Sequence, residues 1–112
     1  MEKIIVKHGK NIVFLNSEEI GWIEAARNYV RVNCGDRDFC LRQSLGEIEK
    51  KLDSIQFVRV NRSTIINISR IKEVQTRLPK KTVVVIDQDH YWNWGRQFKK
   101  NLLSMLERQM RL

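Results

Sequence analysis

Short apolar runs, many of them β-branched or aromatic, recur along the chain and are separated by Gly, Asn, Ser and Asp at close intervals. This pattern is typical of an antiparallel β meander. In residues 28–33 polar and apolar side chains alternate, which predicts a strand with one face exposed to solvent. The predicted strands are residues 3–8, 11–16, 19–26, 28–33, 38–42, 57–60, 72–77, 82–86 and 91–94.

Two segments follow a helical period instead. Ser44 and Glu47 have the spacing of a capping box, and residues 44–53 place their apolar side chains on one helix face at Leu45, Ile48 and Leu52. Residues 95–112 carry an apolar stripe formed by Phe98, Leu102, Met105 and Leu106, with basic residues elsewhere. The sequence therefore predicts a mainly β fold with a short mid-chain helix and a C-terminal helix.

The length of 112 residues suits one domain with one core, so we expect residues 1–112 to form a single domain. No uninterrupted apolar run exceeds four residues, which is too short to span a bilayer, and no signal peptide is evident. We therefore expect a cytoplasmic protein. Cys34 and Cys40 could face each other across a hairpin, but so sparse a pair is more typical of two reduced, half-buried thiols.

Charge is distributed unevenly along the chain. The formal net charge is +8 and the pI is about 9.9. Residues 1–58 carry nine Lys or Arg against nine Asp or Glu, whereas residues 59–112 carry twelve against four. Because a solubilising surface usually intersperses the two signs, this segregation favours a face that binds nucleic acid or an acidic partner. Charge alone does not distinguish the two.

Motifs for catalysis or metal binding are missing from the sequence. It has no glycine-rich phosphate loop, no nucleophile elbow and no His, Cys or Asp set at ligand spacing. His8 and His90 stand alone in strand-like runs, where a partly buried structural histidine is the simpler interpretation. We therefore expect neither an enzyme nor a bound cofactor or metal.

The chain resembles the LytTR DNA-binding domain, the output domain of bacterial LytR/AlgR-type response regulators. Four segments carry the resemblance, in the same order and with nearly the same spacing: IGWIEAARNYVRVN (20–33), LRQSLGEIEKKL (41–52), FVRVNRSTIINISRIKEV (57–74) and WGRQFKKNLLSML (94–106). The resemblance implies an elongated, mainly antiparallel β-sheet architecture with short helices. It also implies that loops, not a recognition helix, contact DNA in successive major grooves.

The resemblance places Arg62 at the family's base-contacting position. Its strand and turn would be anchored to the core by Phe57, Val60, Ile65 and Ile66. An arginine fixed in this way can bond guanine O6 and N7 with its planar guanidinium. The alternative is an ordinary surface ion pair, which is common and only weakly stabilising.

A second cluster lies in the segment ARNYVR. Asn28 and Tyr29 match a loop that the family inserts into a groove, and both are candidate base contacts. Their basic neighbours Arg27 and Arg31 are candidate phosphate contacts. Tyr29 fits equally well as a half-buried strand aromatic.

The third cluster begins at Arg96, which matches the family's other groove-entering arginine. Lys99 and Lys100 follow it and suit phosphates, although each fits equally well on the solvated face of a helix. Trp92 and Trp94 stand where the family is usually aliphatic. Buried packing explains them better than base stacking, because duplex DNA exposes no base faces.

Two residues depart from the family pattern. Asn61 stands where the family usually has His, and Gly95 where it often has Ser. Because Asn can bond adenine N6 and N7, Asn61 is a further candidate base contact. Arg59 is a candidate phosphate contact whose role the sequence leaves ambiguous, and Asn67 is interpreted as a structural amide that satisfies a turn.

The resemblance implies sequence-specific binding of double-stranded DNA in bacterial transcription regulation. It further implies tandem direct-repeat half-sites bound by two domains, as a dimer on DNA. The family usually has an upstream receiver domain in a sensor-kinase pathway, so the chain is either the output domain of a longer regulator or a small stand-alone regulator. No membrane partner is expected. Two alternatives remain at this stage, a basic module that docks an acidic protein and a binder of single-stranded RNA.

Overall fold

Ten strands and two α-helices form the part of the chain that the computed structural model describes, residues 3–77 and 80–109. This confirms the predicted mainly β architecture, and the molecule is elongated, with extents of 48 × 30 × 26 Å. The elements are β1 Lys3–His8, β2 Asn11–Asn16, β3 Ile20–Ala26, β4 Tyr29–Cys34, β5 Arg37–Leu41, α1 Leu45–Lys51, β6 Phe57–Asn61, β7 Thr64–Asn67, β8 Glu73–Arg77, β9 Lys81–Val85, β10 Tyr91–Asn93 and α2 Lys99–Gln109. Short 3-10 helices cover Ser17–Glu19, Ile68–Arg70 and Arg96–Phe98.

The strands form three antiparallel sheets. A five-stranded sheet in the order β5-β4-β3-β7-β6 lies at the centre. The β1–β2 hairpin and α1 pack on one face of it, and the three-stranded sheet β10-β9-β8 and α2 pack on the other. Neither α-helix in the described part of the chain has the length and apolar character needed to cross a membrane.

The central sheet is buried on both faces at β6 and β7, whereas β4 and β5 leave one face exposed, and this arrangement divides the core expected from the chain length into two. Ile65 belongs to the first core, with the β1–β2 hairpin and α1, whereas its neighbour Ile66 belongs to the second core, with the three-stranded sheet and α2. Successive residues of a strand point to opposite faces. A strand buried on both sides therefore loses the apolar-polar alternation that marks a half-exposed strand.

Both predicted helices are present. At α1, Glu47 N donates to Ser44 Oγ at 3.1 Å and Ser44 N donates to Glu47 Oε1 at 3.2 Å, so the capping box is confirmed. These hydrogen bonds with Ser44 lower the pKa of the Glu47 carboxyl. In α2 the apolar stripe packs on the second core, with Met105 buried. Residues 110–112 of the predicted helix lie outside the described residues.

The sequence did not predict β7 as a separate strand. Its four residues, Thr64–Asn67, are all buried and therefore show no alternation. The cysteine expectation also needs correction, because Cys40 is exposed and not half-buried. Across the β4–β5 pair Cys34 lies opposite Arg37, so the two thiols do not face each other.

Asn67 is a structural amide, as the sequence indicated. It is fully buried, and its Nδ2 donates to the Ile20 carbonyl at 2.8 Å. Its Oδ1 accepts from Ser69 N at 3.0 Å and from Ser69 Oγ at 2.8 Å. Each polar atom of this side chain thus has a partner, which is what makes its burial tolerable.

We expect Trp94→Ala to lower the free energy of unfolding by about 3–5 kcal/mol. Trp94 is 3% exposed, and its Nε1 donates to the Phe98 carbonyl at 2.8 Å, so truncation leaves a cavity and removes this hydrogen bond. Urea denaturation measures the change. Tyr91→Ala, which removes an aromatic ring that is 56% exposed, is the control and should cost less than about 0.5 kcal/mol. Equal small losses would show that Trp94 does not support the core.

Candidate nucleic-acid interface

Two short turns lie at the same end of the central sheet. The β3–β4 turn consists of Arg27 and Asn28, and the β6–β7 turn of Arg62 and Ser63. They are adjacent because β3 pairs with β7 and Ala25 N donates to the Ser63 carbonyl at 2.8 Å. Arg27, Asn28 and Arg62 are all exposed there, so the sheet brings two of the three predicted clusters together.

Arg27 has a strained backbone. Its φ is 57°, in the left-handed region that residues other than glycine seldom occupy. Such a conformation costs about 1–3 kcal/mol and persists only where the surrounding structure enforces it. Here the paired ends of β3 and β4, in register from Ala26 to Tyr29, enforce it. The turn therefore holds its exposed side chains on a fixed backbone.

Asn61 holds the β6–β7 turn in place. Its Oδ1 accepts from Ser63 N at 2.9 Å and from Ser63 Oγ at 3.1 Å, while its Nδ2 donates to the Asn93 carbonyl at 3.0 Å. Both lone pairs of the amide oxygen are thus occupied. In this arrangement Asn61 ties the turn to the end of β10, and its contact with a base stays a prediction.

Arg59 supports the same turn from behind. Its Nε donates to the Asn61 carbonyl at 3.2 Å and its NH2 group to the Arg62 carbonyl at 2.5 Å. Its NH1 group lies 3.0 Å from Glu49 Oε1 on α1, and its guanidinium stacks over the Phe98 ring. Only 19% of the side chain is exposed. Phosphate contact by Arg59 stays a prediction, whereas its contribution to the shape of the turn is observed.

Arg96 lies at this site because the backbone directly before it packs closely against β6. Gly95 N donates to the Val60 carbonyl at 2.7 Å, which joins the chain before Arg96 to β6. A Cβ at Gly95 would lie 3.3 Å from Phe98 Cδ2 and 3.5 Å from Asn61 Cα. The departure from Ser to Gly at this position therefore accommodates a tight contact between these segments.

The two predicted base-reading arginines share one shallow concavity. Arg62 and Arg96 both line it, and its other lining residues include Asn61, Asn93 and Gly95. Both arginines are exposed. The site thus has two exposed guanidinium groups on backbones that Asn61 and Gly95 connect.

Two lysines that the sequence did not single out, Lys80 and Lys81, extend this surface. A second concavity beside Arg96 is lined by Lys80, Lys81 and Lys99. Lys99 is half-buried and its Nζ donates to Thr82 Oγ1, whereas Lys80 and Lys81 are exposed. In the sequence, Lys80 and Lys81 are distinguished only as a pair of lysines directly before the predicted strand 82–86. We call Arg62, Arg96, Lys80, Lys81 and Lys99 the basic cluster.

The other predicted contacts lie outside the basic cluster. Tyr29 follows the β3–β4 turn and is 36% exposed, so both interpretations of it remain. Arg31 is exposed further along β4, opposite Glu24. Lys100 is exposed at the start of α2 and lines neither concavity.

Buried packing was predicted for both Trp92 and Trp94, and it is confirmed in full only for Trp94. Trp92 is half-buried, and its Nε1 donates to Glu24 Oε2 at 3.2 Å. Its ring lies 5.3 Å from that of Trp22, which also stacks with His90 at 4.6 Å. Trp92 therefore helps to join the three-stranded sheet to the central sheet.

Titratable groups with perturbed pKa values lie away from the basic cluster. Backbone N–H donation from Asp89 and a hydrogen bond from the His90 ring lower the pKa of Asp87. Burial raises the pKa of the Cys34 thiol. Within residues 3–77 and 80–109, no three His, Cys, Asp or Glu side chains lie together in a way that could hold a metal ion.

Asn61→Ala should loosen the β6–β7 turn. Loss of the bonds to Ser63 and Asn93 should lower the free energy of unfolding by about 1–2 kcal/mol and accelerate hydrogen exchange at the Ser63 amide. Denaturation and NMR-detected exchange measure the two effects. Asn28→Ala, at the exposed neighbouring turn, is the control and should leave Ser63 unaffected. Unchanged exchange at Ser63 in Asn61→Ala would mean that Asn61 does not hold the turn.

Comparison with known proteins identifies relatives of this chain. A model of the LytTr DNA-binding domain family matches residues 10–107. The chain is similar to the sensory transduction protein LytT of Bacillus subtilis, with 33% identity over 73 residues, 65% of this chain and 30% of that protein. It is also similar to LytT of Bacillus cereus, with 27% identity over 106 residues, 95% of this chain and 43% of that protein. The chain thus spans less than half the length of these relatives.

The fold has a counterpart among solved structures. The LytTr DNA-binding domain of a methyl-accepting/DNA response regulator from Bacillus cereus superposes with a TM-score of 0.81 at 19% identity. The match covers 95% of this chain and 97% of that domain, so the likeness extends over the whole architecture. Since the family match also covers most of the sequence, the chain belongs to the LytTr DNA-binding domain family.

Proposed function

We propose that this chain binds duplex DNA in a sequence-specific manner, through the β3–β4 turn, the β6–β7 turn and the segment at Arg96. The observation that carries the proposal is the shared concavity of Arg62 and Arg96 at one end of the central sheet. Both guanidinium groups are exposed, and both backbones are fixed by hydrogen bonds through Asn61 and Gly95. Rigid support of this kind is what base recognition requires.

The geometry of the turns suits the major groove. A two-stranded β hairpin fits the width of that groove in B-DNA, and an arginine there can bond guanine O6 and N7 at the same time. Arg62 stands at the tip of such a hairpin, between β6 and β7. Asn28 stands at the tip of the neighbouring hairpin and would contact bases beside those that Arg62 reads.

Phosphate contacts would position these groups without reading sequence. Lys80, Lys81 and Lys99 flank Arg96 on the side away from Arg62. Arg27 lies beside Asn28 in the β3–β4 turn and is the corresponding candidate for a phosphate contact there. Further candidates for contacts with the DNA backbone are Lys100, Arg31 and Arg59. Further candidates for contacts with bases are Asn61 and Tyr29.

The relatives give the proposal a biological setting. Proteins called sensory transduction protein LytT contain a segment similar to this chain and are more than twice as long. We propose that residues 1–112 act as one DNA-binding output domain of a two-component response regulator in the cytoplasm. Tandem direct-repeat half-sites, a dimer on DNA and a preceding receiver domain are parts of this proposal. It involves neither catalysis nor a cofactor.

Arg62→Lys tests base reading. It keeps the charge but removes the bidentate fork, so affinity for random duplex DNA should persist while discrimination at one or two base pairs of each half-site falls by about 1–3 kcal/mol. A scan of single base-pair changes in a selected site, read by fluorescence anisotropy, measures this. Arg42→Lys, an exposed arginine after β5, is the control and should keep the full profile. If Arg62→Lys also keeps it, Arg62 is a phosphate anchor or a surface ion pair.

Lys80→Ala combined with Lys81→Ala should weaken specific and random duplexes alike. If both lysines contact phosphate, the slope of log K against log salt should decrease in magnitude by about two. Binding is titrated at several salt concentrations. Lys7→Ala with Lys10→Ala removes the same charge from the β1–β2 hairpin on the opposite face of the central sheet and should change the slope far less. Equal changes in both double variants would mean that the lower net charge, and not loss of phosphate contacts, changes the slope.

A competition experiment separates the proposed partner from the two alternatives. The wild-type chain is titrated with random duplex DNA, random single-stranded RNA and an acidic protein at two salt concentrations. We expect a preference for the duplex over both competitors. Stronger binding to RNA or to the acidic protein would contradict the proposed function.

A further inference from the structure

Asn93 lies where the two concavities of the interface meet. Asn93 and Arg96 each line both of them, the concavity that Arg62 and Arg96 share and the second concavity, which lysines line. Asn93 is exposed there. An uncharged amide thus stands between side chains proposed to read bases and side chains proposed to bind phosphate.

The backbone at Asn93 is held by both neighbouring sheets. Asn93 is the last residue of β10 and pairs with Val83 of β9, and the next residue, Trp94, donates its N–H to the Thr82 carbonyl at 2.8 Å. From the central sheet, Asn61 Nδ2 donates to the Asn93 carbonyl at 3.0 Å. These bonds engage the backbone and leave the side chain of Asn93 exposed on a fixed support, which base recognition requires.

An exposed carboxamide in this position is suited to adenine. It presents a donor and an acceptor side by side, and the major-groove edge of adenine presents the complementary acceptor N7 and donor N6. A guanidinium has donors only and therefore matches guanine instead. The Asn61 carboxamide has the same chemistry as that of Asn93, but it already makes three hydrogen bonds within the protein. Asn93 is therefore the better placed of the two.

We propose that Asn93 is a further base-reading residue and that it bonds an adenine beside the guanine that Arg96 reads. Its Oδ1 accepts from adenine N6, and its Nδ2 donates to adenine N7. This assignment rests on the proposed function and adds a base preference that the two arginines do not supply, because their guanidinium groups cannot accept a hydrogen bond.

A scan of single base-pair changes, in the site that the wild-type chain selects from a random duplex pool, tests the assignment. Asn93→Ala should weaken the preference for A·T about 5- to 100-fold at one position beside the guanines that Arg96→Ala affects, and should leave the guanine preferences intact. Because the variant keeps the backbone carbonyl that Asn61 bonds, hydrogen exchange at the Ser63 amide should stay as in the wild type. Asn11→Ala, at an exposed asparagine of the β1–β2 hairpin, is the control and should keep the full profile.

A modified base isolates the contact with adenine N7. Replacing the adenine at that position by 7-deazaadenine removes the N7 acceptor, so it should weaken wild-type binding about three- to tenfold and leave binding by Asn93→Ala unchanged. A phosphate contact would instead make Asn93→Ala weaken all duplexes alike, without a change in base preference.

Three results would overturn the assignment and leave guanine reading by the arginines in place. They are a selected site without an A·T preference beside the Arg96 guanines, an A·T preference that survives Asn93→Ala, and equal sensitivity of the wild type and Asn93→Ala to 7-deazaadenine. A pool without any enriched site would contradict the proposed function itself, and the assignment with it.

Discussion

The geometry of the interface depends on the hydrogen bonds that the Asn61 side chain makes. It accepts from both donors of Ser63 across the β6–β7 turn and donates to the Asn93 carbonyl at the end of β10. The turn belongs to the central sheet and β10 to the three-stranded sheet, so one amide fixes the position of Arg62 relative to the segment that carries Arg96. The contact of Gly95 N with the Val60 carbonyl reinforces this junction.

The rigidity of the turn comes from burial on both sides of β7. Ile65 and Ile66 enter different cores, and the polar residues beside them are either fully satisfied, as Asn67 is, or directed to the turn. The arginine and asparagine side chains within the largely apolar residues 57–71 have distinct roles. Asn61 and Asn67 bond the backbone at the two ends of β7, Arg59 supports the turn from the side of α1, and Arg62 is exposed.

Most of the fold could be predicted from the sequence, because half-exposed strands and capped helices leave periodic patterns. β1 and β2 have the predicted bounds, and the Ser44 capping box marks α1. β7 was not predicted, because burial on both faces removes the alternation of apolar and polar residues. The site was less predictable for a related reason. Arg59 bonds Glu49 on α1, and Lys80 and Lys81 adjoin Arg96 through the antiparallel pairing of β9 with β10, neither of which a local spacing encodes. The resemblance to the family supplied Arg62 and Arg96, which composition and periodicity alone did not distinguish from other surface arginines.

We propose that Arg62 and Arg96 read guanines from neighbouring segments that the fold holds together. Selection of binding sites from a random duplex pool, followed by dimethyl sulfate protection of guanine N7 in the selected sites, tests it most directly. We expect an enriched sequence with two sets of protected guanines on the major-groove side, one lost in Arg62→Ala and the other in Arg96→Ala. A pool without enrichment, or protection that both variants leave intact, would contradict it.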